Sequence, residues 1–224
     1  MAPLDVLASQ GRRQATAHAG AALSPQQREA RDELRRSLRQ RRRSLSVAER
    51  EGAAQNVLRH LQQWRVFRCA SRIAAYDAVA AELPTAALQA HIQSTKAELY
   101  LPCLPFIKGG RMRFVRSQPD TRWRLNRYAI AEPIADQRSP AINPAFLDLI
   151  LLPLVAFDKH GNRMGMGAGY YDRTLELRRW RRHWKRPLLI GLAYGCQQVD
   201  VLPTAPWDVP MDAIVTENGI ITPH

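Results

Sequence analysis

Short apolar runs bounded by turn residues alternate along this chain with stretches whose apolar positions recur every three or four residues. Residues 71–77 (Ser-Arg-Ile-Ala-Ala-Tyr-Asp) read as a first strand, followed by a loop over 78–82 and a helix over 84–94. Residues 98–102 predict a second strand and 111–116 a third, turned through Gly109-Gly110. The runs at 147–155 and 187–194 are almost wholly apolar, as expected of strands covered on both faces, and 212–216 reads as the last strand. Strands alternating with helices predict one α/β domain over residues 25–224, a three-layer arrangement with a largely parallel central sheet and helices on both faces.

A helical segment precedes the sheet. Ser24-Pro25 places a capping hydroxyl before a proline at the first helical position, and the helix continues to Arg43 with a narrow stripe of Ala30, Leu34 and Leu38. Ser46, with Glu49 three residues on, opens a second helix to about Trp64 through a capping box. Arg31 and Arg35 lie four apart and project from one side of the first helix; taken alone they read as a solvated arginine face. Residues 1–24, rich in Ala, Arg and Gln with Asp5 their one acid, read as a disordered tail or a transit peptide. Residues 117–146 contain four prolines and little periodicity, so they predict a long irregular segment of the kind that covers sites. Within it Trp123, Tyr128 and Phe146 either anchor the loop or face a flat ligand.

The run from Phe157 to Leu175 (Phe-Asp-Lys-His-Gly-Asn-Arg-Met-Gly-Met-Gly-Ala-Gly-Tyr-Tyr-Asp-Arg-Thr-Leu) lies between the apolar strand at 147–155 and residues 171–184, which lack Gly and Pro and predict a helix. Gly165, Gly167 and Gly169 alternate, so every second residue is free to take positive φ and carries no Cβ against a close ligand. A strand-to-helix turn of this kind aims backbone N–H groups into one concavity, and the helix adds its positive end, which favours an anion. Arg163 and Arg173 flank the glycines with forked donors for phosphate oxygens, and Asp172 suits a Mg²⁺ held between phosphates. Glu82 lies at a strand's carboxyl end, the functional rim of such a sheet, or else only complements the dipole of the helix after it. These features point to a metal–nucleotide site; the alternative is a tight turn whose glycines serve packing. The spacing is neither that of a P-loop nor that of the dinucleotide fingerprint, and it does not name the ligand. No Gly-x-Ser-x-Gly, His-Glu-x-x-His or paired cysteine–histidine motif is present, and His160 and His183 read as surface residues.

Composition narrows the class. At 224 residues and 46% hydrophobic, the chain has material for one substantial core. No apolar run reaches the roughly 18 residues of a membrane helix, so no membrane partner is expected. Cys69, Cys103 and Cys196 are widely spaced, show no metal pattern and argue against a disulfide scaffold; a reducing cytoplasm is the expected location. Of the net charge of +13, residues 1–60 supply +6 and residues 176–186 supply +5. Attraction of polyanionic ligands accounts for both clusters. The alternative is a nucleic-acid-binding protein that uses its arginine-rich helices, with Trp180 and Trp184 stacking on bases; four apart, these equally suit packing.

The run from Val155 to Leu175 resembles the signature of the 5-formyltetrahydrofolate cyclo-ligases, also called methenyltetrahydrofolate synthetases. Arg31-Asp-Glu-Leu-Arg35 is similar to that family's basic N-terminal helix, Tyr76 through Thr85 to its folate-contacting loop, Ala131-Glu-Pro133 to its Glu-Pro turn, and Trp207 through Thr216 to its C-terminal block. The resemblance implies an ATP- and Mg²⁺-dependent closure of 5-formyltetrahydrofolate to 5,10-methenyltetrahydrofolate, or a folate-binding protein without turnover if only the scaffold is shared. It implies that Arg31, Arg35 and the stretch Arg163, Met164, Gly165, Met166, Gly167, Ala168, Gly169, Tyr170 and Tyr171 hold the nucleotide. It also implies that Tyr76, Asp77, Glu82 and residues 166–170 meet the folate, that Asp172 and Asp208 hold Mg²⁺, and that Arg163, Tyr171 and Asp172 serve catalysis. The partners implied are a reduced folate and ATP, bound by a monomer. Two positions depart from the usual pattern: Arg31 stands where lysine is common, and Ala168 where Gly or Lys is.

Overall fold

The computed structural model describes residues 23–107, 109–180 and 186–223. Two helices open it. Helix α1 (Pro25–Ser44) starts at Ser24, whose hydroxyl accepts from Gln27 N at 3.1 Å while the Gln27 side chain accepts from Ser24 N at 2.9 Å. Helix α2 (Val47–Gln63) starts at Ser46 with the corresponding reciprocal pair to Glu49, as its spacing predicts. A single turn, α3 (Arg65–Arg68), leads to β1 (Arg72–Ala74), followed by α4 (Ala86–Gln93), β2 (Glu98–Cys103) and β3 (Arg113–Arg116).

The segment at 117–146 is not irregular throughout. It forms a hairpin of β4 (Trp123–Leu125) and β5 (Ala131–Pro133), then a 3-10 turn at Pro144–Phe146. The tip is tied by Asn126, whose Oδ1 accepts from Tyr128 N at 2.9 Å and from Ile130 N at 3.2 Å. A side chain standing in for a backbone turn leaves no hydrophobic period, which is why this hairpin is invisible to pattern reading. Nor do Trp123 and Phe146 anchor the segment, since they are 46% and 63% exposed.

After β6 (Leu149–Pro153) the chain makes a second small hairpin, β7 (Ala156–Phe157) with β8 (Arg163–Met164), before α5 (Tyr170–Trp180). Its turn is built on Asp158, fully buried and accepting from the backbone N–H of His160, Asn162 and Leu202. So Arg163 and Met164 sit on a strand rather than in a loop. Strands β9 (Leu188–Leu192), β10 (Ala213–Thr216) and β11 (Gly219–Ile221) complete the chain. Most of the predicted tail, residues 1–22, lies outside the described residues, as do residues 181–185 of the basic cluster and the side chain of Trp180.

The sheet order is β11-β10-β9-β6-β1-β2-β3, with β10, β9, β6, β1 and β2 parallel and an antiparallel strand at each edge. Because side chains alternate, each central strand feeds two cores. Ile73, Leu99, Leu149, Leu151, Ile190 and Val215 pack with α2, α3 and α4 through Val57, Leu61, Phe67, Leu88 and Ile92. Ala74, Tyr100, Ile150, Leu152, Leu189 and Ile214 pack with Leu175 of α5 and with Val209 and Met211. Helix α1 belongs to neither layer. Leu38 seats it on Val155, Ala156, Met164 and Leu202, over the second hairpin. From β1 the chain goes to β2 on one side and later to β6 on the other, so the strand order reverses between β1 and β6.

Candidate active site

A cavity of about 490 Å³ opens at that reversal, where α/β sheets place ligands. Tyr76 and Asp77 beyond β1, Pro102 and Leu104 at the end of β2, and Pro153 closing β6 form its floor. Its other walls are α1, the glycine turn, the tip of the β4–β5 hairpin and the turn carrying Trp207 and Asp208.

The glycine turn faces this space with Gly165, Met166, Gly167, Ala168, Gly169, Tyr170 and Tyr171. Gly167 and Gly169 have φ of +100° and +67°, the left-handed region; Gly165 does not take a positive φ, so the alternation is not conformationally uniform. A Cβ at Gly167 would meet nothing closer than Arg35 at 3.9 Å. Its freedom from side chains therefore leaves open cavity, whereas a Cβ at Gly169 would meet the Arg173 guanidinium at 2.7 Å. Arg173 is folded back beneath the turn, donating to Ala168 O at 2.9 Å and lying 5.2 Å from the Tyr170 ring centre. It braces the turn and does not line the cavity, contrary to the expectation that it adds charge toward a phosphate.

Helix α1 supplies the cations. Arg31, 6% exposed, donates to Asp208 Oδ2 at 2.8 Å, to Asp208 Oδ1 at 3.3 Å and to the Pro203 carbonyl. Arg35 donates through Nε to Gly165 O at 3.0 Å and pairs with Asp32. The solvated arginine face that spacing alone suggests is thus overturned: α1 turns these side chains inward because Leu38 and the buried Arg42 fix its rotation. Arg163 is 3% exposed, held by Val209 O at 3.2 Å and by Asp172 Oδ1 at 2.5 Å, and is among the residues that line the cavity. Met164, like Arg173, is an expected ligand residue that the cavity does not include. It is wholly buried with Leu38, Val155, Ala156 and Leu202, in the small core that joins the second hairpin to α1.

Tyr76, Asp77, Glu82, Asp172 and Asp208, scattered through the sequence, all line the same cavity. Glu82 is 7% exposed and accepts from Val79 N at 3.2 Å. Burial pushes its carboxyl above the usual range, against the Val79 hydrogen bond and the charge of Arg42. Burial likewise pushes the Tyr171 phenol well above its ordinary value, so it stays a neutral hydrogen-bond donor. Asp172 and Asp208 are each already paired with an arginine, and no cluster of three metal-ligating side chains occurs among the described residues. Such a donor set suits a Mg²⁺ that takes most of its oxygens from phosphates and water, not a cage built by protein alone.

Of the three aromatic groups expected either to anchor the long segment or to face a flat ligand, Tyr128 lines the cavity; Leu23 and Arg28 at the start of α1, Asn126 and Ile130 on the hairpin tip, and Trp207 are lining residues that escape sequence reasoning. Tyr128 closes toward the glycine turn, its hydroxyl 3.1 Å from that of Tyr170 and the rings edge-on at 6.1 Å. For the hairpin tip, Asn126 is the one position whose turn chemistry could have signalled the hairpin.

The sequence model of the 5-formyltetrahydrofolate cyclo-ligase family matches residues 27–217. The 5-formyltetrahydrofolate cyclo-ligase of Haemophilus influenzae is 40% identical over 183 residues, covering 81% of this chain and 94% of that protein. That of Escherichia coli is 33% identical over 183 residues, covering 82% and 98%. Among solved structures, the 5,10-methenyltetrahydrofolate synthetase of Aquifex aeolicus superposes with a TM-score of 0.72 at 30% identity, covering 86% of this chain and 92% of that one. That of Mycoplasma pneumoniae gives 0.63 at 25% identity, covering 84% and 98%. The match extends from α1 to the end of β10, taking in every wall of the cavity, and the chain therefore belongs to the 5-formyltetrahydrofolate cyclo-ligase family of ligases.

Proposed function

We propose that the protein closes 5-formyltetrahydrofolate to 5,10-methenyltetrahydrofolate at the expense of ATP, releasing ADP and phosphate. The observation that carries this reading is the glycine turn, open on a cavity with arginines on one side and a buried carboxyl, Glu82, on another. A formamide oxygen is a poor leaving group. Transfer of the γ-phosphoryl group breaks its bond to the bridging oxygen of ADP and forms one to the formyl oxygen. N10 then attacks the formyl carbon, the carbon–oxygen bond breaks, phosphate departs, and the N10 proton is lost.

Such a transfer asks for alignment and charge stabilisation more than for a protein nucleophile. Backbone N–H groups of the turn from Gly165 to Tyr171 cradle the phosphates, and Arg31, Arg35 and Arg163 meet their charge. Tyr171, held neutral, donates without adding charge. Glu82 orients the pterin end of the folate, with Tyr76 and Asp77 beside it. Asp172 and Asp208 hold Mg²⁺, which neutralises phosphate charge when bound.

The test is spectrophotometric. The methenyl product absorbs in the near ultraviolet, and its band is expected to grow only when 5-formyltetrahydrofolate, ATP and Mg²⁺ are all present, with ADP appearing in equal amount. Growth of the band without ATP, or folate binding with no ADP released, defeats the proposal.

A further inference from the structure

We propose that Trp207 is the platform on which the nucleobase of ATP stacks, at the end of the cavity formed by the start of α1. The inference rests on the assignment of the glycine turn to the phosphates given above.

Trp207 is 45% exposed and lines the cavity, so neighbouring side chains leave much of it uncovered. The turn that carries it is fixed. Asp208 N donates to Ala205 O at 3.0 Å, Ala205 N donates back to Asp208 Oδ2 at 2.7 Å, and Arg31 grips the same carboxylate at 2.8 Å. An indole on a turn tied to α1 loses little freedom when a ligand lies on it, which favours binding.

Position along α1 identifies which ligand reaches it. Arg35 touches the glycine turn at Gly165 O, and Arg31, one helical turn earlier, touches Asp208. Arg28, the next cavity-lining arginine toward the N-terminus, lies a further turn away. At roughly 1.5 Å per residue, the distance along the axis from Arg35 to Arg28 is about 10 Å. The recess therefore runs past the phosphate cradle by a span comparable with that between a nucleotide's terminal phosphate and its base. At that end it offers the indole and Leu23, flat and apolar, which suits the face of a purine. Glu82 and the hairpin tip line the same cavity, and their polar groups suit the hydrogen-bonding edge of a pterin.

The experiment measures binding of Mg²⁺–ATP, inorganic tripolyphosphate and 5-formyltetrahydrofolate to the full chain by calorimetry, for the wild type, Trp207→Ala and Trp207→Phe. Loss of one base–aromatic stack is expected to weaken ATP about tenfold in Trp207→Ala. Tripolyphosphate, which has phosphates but no base, and the folate should bind that variant as they bind the wild type, and Trp207→Phe should recover most of the ATP affinity. Unchanged ATP affinity in Trp207→Ala overturns the inference, and so does weakened folate binding, which would place the indole against the other substrate. An equal loss for ATP and tripolyphosphate also overturns it, since that reports a distorted turn and not a lost stack. Wild-type protein that binds ATP without cyclising the folate defeats the proposed reaction while leaving this inference standing on the binding data.

Discussion

The guanidinium of Arg163 and the carboxylate of Asp172 meet at 2.5 Å across the base of the glycine turn, joining the second hairpin to the first turn of α5. Arg163 is 3% exposed, so Asp172 is its main counter-charge as well as a group facing the cavity. Removing one member of a buried pair strands the other. Asp172→Ala is expected to lower stability by about 3 kcal/mol and to abolish most turnover. Asp172→Asn keeps an acceptor for Arg163, so it should recover most of the stability while remaining slow. Urea midpoints and initial rates of the two variants check this; wild-type rates in Asp172→Asn would leave the residue a structural partner only.

Glu82 titrates above the ordinary carboxylate range because it is buried. Folding therefore favours its protonated form. Its contribution to stability is complete below the ordinary value, about 4.3, and is lost as pH rises through the raised one. Glu82→Gln, fixed in a neutral state, is expected to melt higher than the wild type at pH 7.5, with the difference closing toward pH 4.5. The same variant should bind the folate more weakly. Parallel melting curves across the pH range would contradict the assignment.

Gly161 and Gly167 both hold a positive φ, +79° and +100°, yet their surroundings differ. A Cβ at Gly161 would lie 2.5 Å from Pro223 Cγ and 2.8 Å from Met211 O, whereas at Gly167 it would enter open cavity. Gly167→Ala is expected to cost about 1–2 kcal/mol of stability from backbone strain alone and to raise the KM for ATP. Gly161→Ala should cost roughly 1–3 kcal/mol more through overpacking, with little change in KM. Chemical denaturation alongside steady-state kinetics separates the two.

Glu132 is 3% exposed and fastens the β4–β5 hairpin. It accepts from Arg124 at 2.8 and 2.6 Å and from Leu104 N at 2.9 Å. Glu132→Gln keeps the volume but cannot satisfy both partners, so the wall bearing Asn126 and Tyr128 should loosen. The expected result is a several-fold rise in KM for the folate with the KM for ATP unchanged; equal shifts in both would indicate a general loss of folding.

How much of this was legible in one dimension depended on the range of the interaction. Caps at Ser24 and Ser46 are contacts three residues apart, so residue order determines them. The apolar runs at β6 and β9 announced strands buried on both faces, because burial on both faces leaves no polar position. The glycine turn was legible as a turn facing open space, although the β7–β8 hairpin inside its run was not, since its turn rests on one buried aspartate with four local and distant bonds.

What the chain's order alone determined was therefore the α/β class, the helix starts and the place of the glycine turn between strand and helix. Tertiary structure decided the rest. The reversal of strand order beside β1, the inward rotation of α1 that hides Arg31, the arrival of Asp208 177 residues away to meet it, and the burial of Met164 all follow from packing between distant segments. Local propensity and periodicity report which face of an element is apolar; they carry no information on which other element will cover it.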